Sequence, residues 1–230
     1  MINREIYKFT SIAEKWWDLD GPFKMLHNLN PLRLKFVLDN CLEKKESILD
    51  LGCGGGIFCE AAANNGFSRV CGVDLGLENI EIAQEHAKQN GFTNIEYFHS
   101  DIKEIFQSND VQFDIITAFE VVEHCDDWRD FLNSAIRLLK PGGLFFVSTI
   151  NRNVKSYFQA ILAAEYVLRW VPRGTHEWKK FLKPSEIAEH LDKVDLVLKS
   201  ANGIKFDILS CELIESNDLD VNYMLCFEKK

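Results

Sequence analysis

The chain has 230 residues, 47% of them apolar, and a formal net charge of −9. That length predicts one domain, residues 1–230, around one sizeable core. The acidic balance, with no run of more than two adjacent Lys or Arg, disfavours nucleic acid as a partner. No stretch reaches the roughly 18–20 apolar residues of a membrane span. The opening MINREIYKFT lacks a signal-like apolar region, and the seven scattered cysteines form no CxxC pair, so a reduced, cytoplasmic protein is expected.

In chain order, residues 1–46 read as a helical N-terminal extension rich in Trp and Phe. Short apolar runs then alternate with helical patterns. The runs are SILDLG (47–52), RVCGVDL (69–75), NIEYFHS (94–100), FDIITAF (113–119) and LFFVSTI (144–150). Helical spacing of apolar residues covers 58–65, 77–90 and 128–139, and Asp127 is a plausible N-cap for the last of these. Lys140-Pro141-Gly142-Gly143 ends that helix and turns the chain into the next strand. After Ile150 come an insertion (151–183), a helix from near Pro184 and two late strands, around 196–199 and 221–227. Alternating strands and helices predict an α/β fold with a mostly parallel, doubly wound sheet.

The first strand runs into Gly52, Gly54, Gly55 and Gly56 at a helix entry, where glycines let backbone approach a ligand. A plain tight turn is the alternative. A dinucleotide fingerprint counted from Gly52 would need glycine at 57, which is Ile57. Asp74, followed by Leu75, ends the second strand where an acid can accept hydrogen bonds from ribose hydroxyls. Asp101 and Ile102 follow the third strand, placed for an adenine edge and face. Asp50 before the glycines suits a ligand with an amino group and repels a pyrophosphate. Together these point to S-adenosylmethionine rather than NAD.

LDLGCGGG, GVDL and LLKPGGLFFVST resemble the successive motifs of class I S-adenosylmethionine-dependent methyltransferases. KWWDLDGPFKMLHNLNPLR (15–33), STINRN (148–153), AEYVLRWVPRGTHEWKKFLKPSE (164–186) and DVNYML (220–225) resemble the ubiquinone-biosynthesis O-methyltransferase family. The resemblance implies a Rossmann-like fold with a seven-stranded sheet whose last strand is antiparallel. It also implies methylation of catechol-type hydroxyls on polyprenylated rings, at two steps of one pathway, where other enzymes of that pathway are possible partners. Cofactor contacts carried over from the family fall on Arg33, Gly52, Asp74 and Phe119, with Gly54 in the same motif. For Arg33 there is a physical rationale, because a guanidinium clamps a carboxylate bidentately. Trp16 and Trp17 read either as core or as a lid over the cofactor.

The stretch FEVVEH sets Glu120, Glu123 and His124 just past the fourth strand. In a helix their spacing would put all three on one face. Two oxygens and a nitrogen suit a divalent ion with open positions, which a catechol could fill. Such an ion would lower the phenolic pKa, otherwise about 10, and orient the reacting oxygen. The resembling family is described as Mg-dependent through an E-x-x-E-H set that matches here. The alternative makes His124 a general base oriented by the glutamates. His176 is a further ligand, the base, or part of a substrate-side loop.

Within the insertion, 154–171 places Tyr157, Ile161, Ala164, Leu168 and Val171 on one helical stripe. Lys155, Arg169, Arg173, Lys179, Lys180 and Lys183 flank it. An apolar helix with basic flanks fits either a packed cap or a membrane-surface anchor. The implied lipid-tailed substrate favours docking of residues 154–183 on anionic lipid at the inner face of the membrane. Two other readings of the chain remain: an RNA 2′-hydroxyl methyltransferase, and a non-catalytic subunit that binds the cofactor and lipid.

Overall fold

The computed structural model describes residues 9–41, 46–105, 111–157, 178–207, 210 and 212–230. The strands are β1 (Ser47–Leu51), β2 (Arg69–Asp74), β3 (Ile95–His99), β4 (Phe113–Phe119), β5 (Leu139–Ile150), β6 (Leu196–Asp207), β7 (Glu212–Ser216) and β8 (Asn222–Lys229). The helices are α1 (Lys24–Cys41), α2 (Ile57–Asn64), α3 (Leu77–Gln89), α4 (Ile102–Ile105), α5 (Trp128–Arg137) and α6 (Pro184–Asp192), with one helical turn at Val154–Ser156. All eight strands form one sheet in the order β3-β2-β1-β4-β5-β8-β6-β7. β1 to β5 pair in parallel, while β8 runs antiparallel to both β5 and β6.

The parallel sheet and the antiparallel last strand are as expected, but among the described residues the strand count is eight, not seven. β7 adds an antiparallel edge beyond β6. Its sequence ELIES is half-exposed throughout, so it lacks the buried apolar run that marks the central strands. β6 also runs eight residues past the expected end at 199, through the mixed stretch SANGIKFD that pairs with β8 and β7. The Lys140–Gly143 turn is corrected too: it lies inside β5. Leu139 pairs with Phe113 and Leu144 with Ile115, and Gly142 takes a φ of 69° in the irregularity between them. Lys140 anchors this kink through its Nζ, 2.9 and 3.0 Å from the two Asp114 oxygens.

Continuous burial along SILDL follows from coverage of both sheet faces. Successive residues point to opposite sides. Ile48 and Phe146 pack with Phe36, Phe58 and Ile80 from α1 to α3. Leu49 and Phe145 pack with Leu132 and Ile187 from α5 and α6. The cap on α5 forms as its sequence predicts: Asp127 Oδ1 accepts from the amides of Arg129 (3.1 Å) and Asp130 (3.2 Å). Before α1, Trp16 stacks on Phe23 at 3.8 Å and is buried with Ala13 and Ile57, laying the N-terminal segment across the entry to α2.

The strand order reverses between β1 and β4, and in open α/β sheets the crevice beyond the strand ends at such a point binds ligands. Most of the expected insertion helix, the residues 158–177 with His176 among them, lies outside the described residues. At its edges Lys155 pairs with Asp218 and Asp220, so one expected basic flank is neutralised locally.

Candidate active site

The turn after β1 is built from conformations that only glycine adopts cheaply: Gly52, Gly54 and Gly56 have φ of 72°, 52° and 87°. Their missing side chains also make room. A Cβ on Gly52 would lie 2.6 Å from Val121, and one on Gly54 or Gly55 would lie 2.4 Å from the Trp16 ring. The turn is then tied down. The amides of Gly52 and Cys53 donate to the Val73 carbonyl at 2.8 and 3.0 Å.

Asp74 is the hub of this side. Its carboxylate accepts from the amides of Gly54 (2.9 Å) and Gly76 (2.7 Å) and from Asn79 Nδ2 (3.1 Å). Burial raises its pKa despite those donors. Leu75 beside it is exposed, and Asp101 accepts from the Lys103 amide at 2.9 Å at the head of α4, with Ile102 next to it. Asp74, Leu75, Asp101 and Ile102 therefore gather at the ends of β2 and β3, beside the glycine turn.

Beneath the turn, Asp50 is buried and both its oxygens are engaged. Thr117 Oγ1 donates to Oδ1 at 2.6 Å and the Cys59 thiol donates to Oδ2 at 3.7 Å. Burial pushes the Asp50 carboxyl up to about 7, against the Thr117 hydrogen bond and the Arg33 charge. In this arrangement Asp50 braces the turn from below.

Arg33, from α1, is buried with its guanidinium 5.5 Å over the Phe119 ring. Its Nη2 lies 3.5 Å from Glu120 Oε1, and neither Nε nor Nη2 has a hydrogen-bond partner among the described residues. Buried donors left this way are costly and mark a place where an anion would bind well.

Glu120 breaks the expected helix. With a φ of 53° it sits in the left-handed region, where a non-glycine residue is uncommon. Its amide donates to the Ser148 carbonyl at 3.0 Å and its carboxylate accepts from Ser148 Oγ at 2.9 Å. The following Val122–His124 is a 3-10 turn. Glu123 turns inward and is buried, with Oε2 lacking a hydrogen-bond partner among the described residues. Burial first, then the Glu120 charge, push its carboxyl up to about 7, while His124 pulls the other way. The His124 ring meets the Phe9 ring edge-on at 5.8 Å.

The three FEVVEH side chains thus share one neighbourhood without converging. Among the described residues no three His, Cys, Asp or Glu side chains are grouped to hold a metal ion. The expected ligand set of Glu120, Glu123 and His124 does not fit a metal in this arrangement. The shared-face spacing presumes a continuous helix, and the left-handed Glu120 directs its carboxylate to Arg33 and Ser148 instead.

Thr117, Ser148 and Asn79 were not singled out by sequence as parts of this site. Thr117 carried a readable signal: a hydroxyl in the apolar run FDIITAF needs a partner, and β1–β4 pairing sets it beside Asp50. Ser148 lies opposite Phe119 in the β4–β5 pairing, a register that the sequence does not give.

A family model described as a methyltransferase domain matches residues 24–201. Proteins named ubiquinone biosynthesis O-methyltransferase are similar over nearly the whole chain. That of Neisseria meningitidis serogroup C (strain 053442) is 40% identical over 220 residues, covering 96% of this chain and 92% of its own. That of Rickettsia felis is 41% identical over 233 residues, covering 99% and 93%. Among solved structures, the N-methyltransferase NodS from Bradyrhizobium japonicum WM9 in complex with S-adenosyl-L-homocysteine shares the fold. It has 19% identity and a TM-score of 0.63, covering 99% of this chain and 96% of that one. A SAM dependent methyltransferase from Aquifex aeolicus does so with 15% identity and a TM-score of 0.64, covering 95% and 98%. The chain belongs to the ubiquinone biosynthesis O-methyltransferase family and is an S-adenosylmethionine-dependent O-methyltransferase.

Proposed function

We propose that the chain methylates hydroxyls of polyprenylated catechol or quinol intermediates in ubiquinone biosynthesis, working as one domain at the membrane surface. The observation that carries this reading is likeness over 96–99% of the chain to proteins bearing that name. S-Adenosylmethionine lies against Gly52 and Gly54 with its ribose toward Asp74 and Leu75. Its adenine sits by Asp101 and Ile102, its methionine carboxylate on Arg33, and Phe119 flanks it. Asp50 supports the turn from beneath.

A phenol of pKa about 10 is mostly protonated at neutral pH, so attack on the methyl needs a proton acceptor. His124 takes that role: its ring nitrogen receives the phenolic proton as the oxygen attacks the methyl carbon and the S–CH₃ bond breaks. Glu123, which feels the His124 charge, stabilises the imidazolium in its ionised form, while Glu120 stays with Arg33 and Ser148. A metal assisting the phenolate would require Glu120 to leave Arg33 and Ser148.

The substrate's isoprenoid tail favours a protein that meets the bilayer. Among the described residues no helix is long and apolar enough to cross a membrane. Val154, Tyr157 and Trp178, which border the undescribed part of the 151–183 insertion, expose apolar surface that suits contact with anionic lipid. Residues 154–183 then act as the tail's entry from the inner face of the membrane.

The test is methyl transfer from S-adenosylmethionine to a short-tailed prenyl catechol, with and without EDTA, alongside flotation with anionic vesicles. Turnover that persists in EDTA supports His124 as base. Turnover that is lost and returns with Mg²⁺ reassigns the glutamates as ligands and overturns the base role. No turnover on the catechol sinks the substrate assignment, and no flotation at any anionic lipid fraction sinks the membrane one.

A further inference from the structure

The glycine turn is held from outside by two tryptophans, and only one of them is simply core. Trp16 is buried, donates from Nε1 to Asn79 Oδ1 at 2.9 Å and presses its ring on Gly54 and Gly55. Trp17 is only partly buried, yet its ring is held at two points. It lies parallel to the His86 ring, 3.5 Å away at 6°, and its Nε1–H donates to the Gly55 carbonyl at 3.0 Å. His86 in turn is held by Glu60 on α2, Nδ1 to Oε1 at 2.7 Å. Glu60 is buried, so the pair is anchored inside the protein rather than a loose surface contact.

The Gly55 carbonyl is an unusual thing to clamp. A peptide between two glycines flips cheaply, because neither residue has a Cβ to forbid the reversed orientation. The Gly55–Gly56 peptide is pinned on both sides: its oxygen by Trp17, and its N–H by the Cys53 carbonyl at 3.0 Å. Losing the first tie would free the turn that faces the methyl donor. The Trp16 carbonyl is also met by His27 Nε2 at 2.8 Å, so the same segment is joined to α1, which carries Arg33.

We infer that Trp17, seated on the His86–Glu60 pair, is a positioning residue that fixes the Gly55–Gly56 peptide in its donor-binding orientation and latches the N-terminal segment over the cofactor. It touches neither the donor sulfur nor the acceptor; it acts through the turn. The inference rests on the donor assignment and is independent of the acceptor's identity.

The test is calorimetric titration of the full chain with S-adenosylhomocysteine, with melting temperature followed in parallel. Trp17→Phe keeps an aromatic ring for His86 but loses the N–H together with part of the indole surface. Its affinity is expected to fall about three- to tenfold, the loss of one hydrogen bond. Trp17→Ala and His86→Ala are expected to fall further, and the double variant no further than Trp17→Ala alone. In turnover, KM for S-adenosylmethionine rises while KM for the acceptor is unchanged. Wild-type affinity in Trp17→Phe, or additive losses in the double variant, would overturn the latch. So would an equal rise in both KM values, as a merely structural residue would give. Failure of the unaltered chain to bind S-adenosylhomocysteine would instead overturn the donor assignment, and the latch with it.

Discussion

The glycine turn after β1 and the FEVVEH turn after β4 lie on opposite sides of the same switch point, and they are finished differently. On the first, Asp74 alone collects three hydrogen bonds, and Trp16 and Trp17 fasten the outer surface. On the second, Glu120 sits at positive φ, and Glu123 Oε2 and two nitrogens of the adjoining Arg33 have no hydrogen-bond partner among the described residues. Glycines bring no side chains to fix themselves, so a binding turn made of them must be tied by its surroundings. Strain and unsatisfied polar atoms such as those of the second turn are features that cluster at reaction centres.

The sharpest way to break that contrast is His124→Ala. Removal of a general base is expected to cut kcat about 10²–10⁴-fold, while S-adenosylhomocysteine affinity measured by calorimetry stays as in the unaltered protein. Loss of both would make the two turns one unit. Next is Arg33→Met, whose effect should run the other way. Loss of charge-assisted hydrogen bonds worth about 1.5–3 kcal/mol predicts a drop of roughly 10- to 100-fold in affinity for the same ligand.

Asp50 gives a smaller and signed effect. Its folded-state pKa of about 7 lies above the ordinary 3.8, so the folded chain holds a proton that the unfolded chain has released. Between those values folding is favoured at the acid end and loses stability as pH rises toward about 7. Melting curves across that window should show a flatter decline for Asp50→Asn, and an unchanged slope would mean the carboxyl titrates normally. Smallest is Asp127→Ala, at the head of α5 just beyond the FEVVEH turn. Loss of its two cap bonds should cost about 1 kcal/mol, seen as a melting temperature lower by roughly 2–4 °C with kcat untouched.

Much of the α/β frame was legible because strands covered on both faces read as unbroken apolar runs. FDIITAF matched its strand residue for residue, and the Asp127 cap was visible from its position before the apolar stripe. β7 was not, since a five-residue edge strand with two Glu and a Ser around Leu213-Ile214 carries no burial signal. The Lys140-Pro141-Gly142-Gly143 turn misled for a related reason: its residue types mark a break, but only pairing with β4 shows that the strand already begins at Leu139. In the candidate site, Gly52, Gly54 and Asp74 were readable from type and order. The spacing argument for the metal set presumed a helix, whereas Glu120 adopts the left-handed conformation. Trp17's tie to Gly55 joins residues 38 apart through a backbone carbonyl, and no residue type announces such a partner.

The place of β8 bears on how the chain is made. It is the last strand in chain order yet sits inside the sheet, hydrogen-bonded to β5 on one side and β6 on the other. A nascent chain that has emerged only as far as β7 owns two half-sheets with facing raw edges and no bridge between them. Synthesis of Asn222–Lys229 is then the event that joins the halves. Until it happens, those open edges are the surface a chaperone would guard and a neighbouring nascent chain would invade.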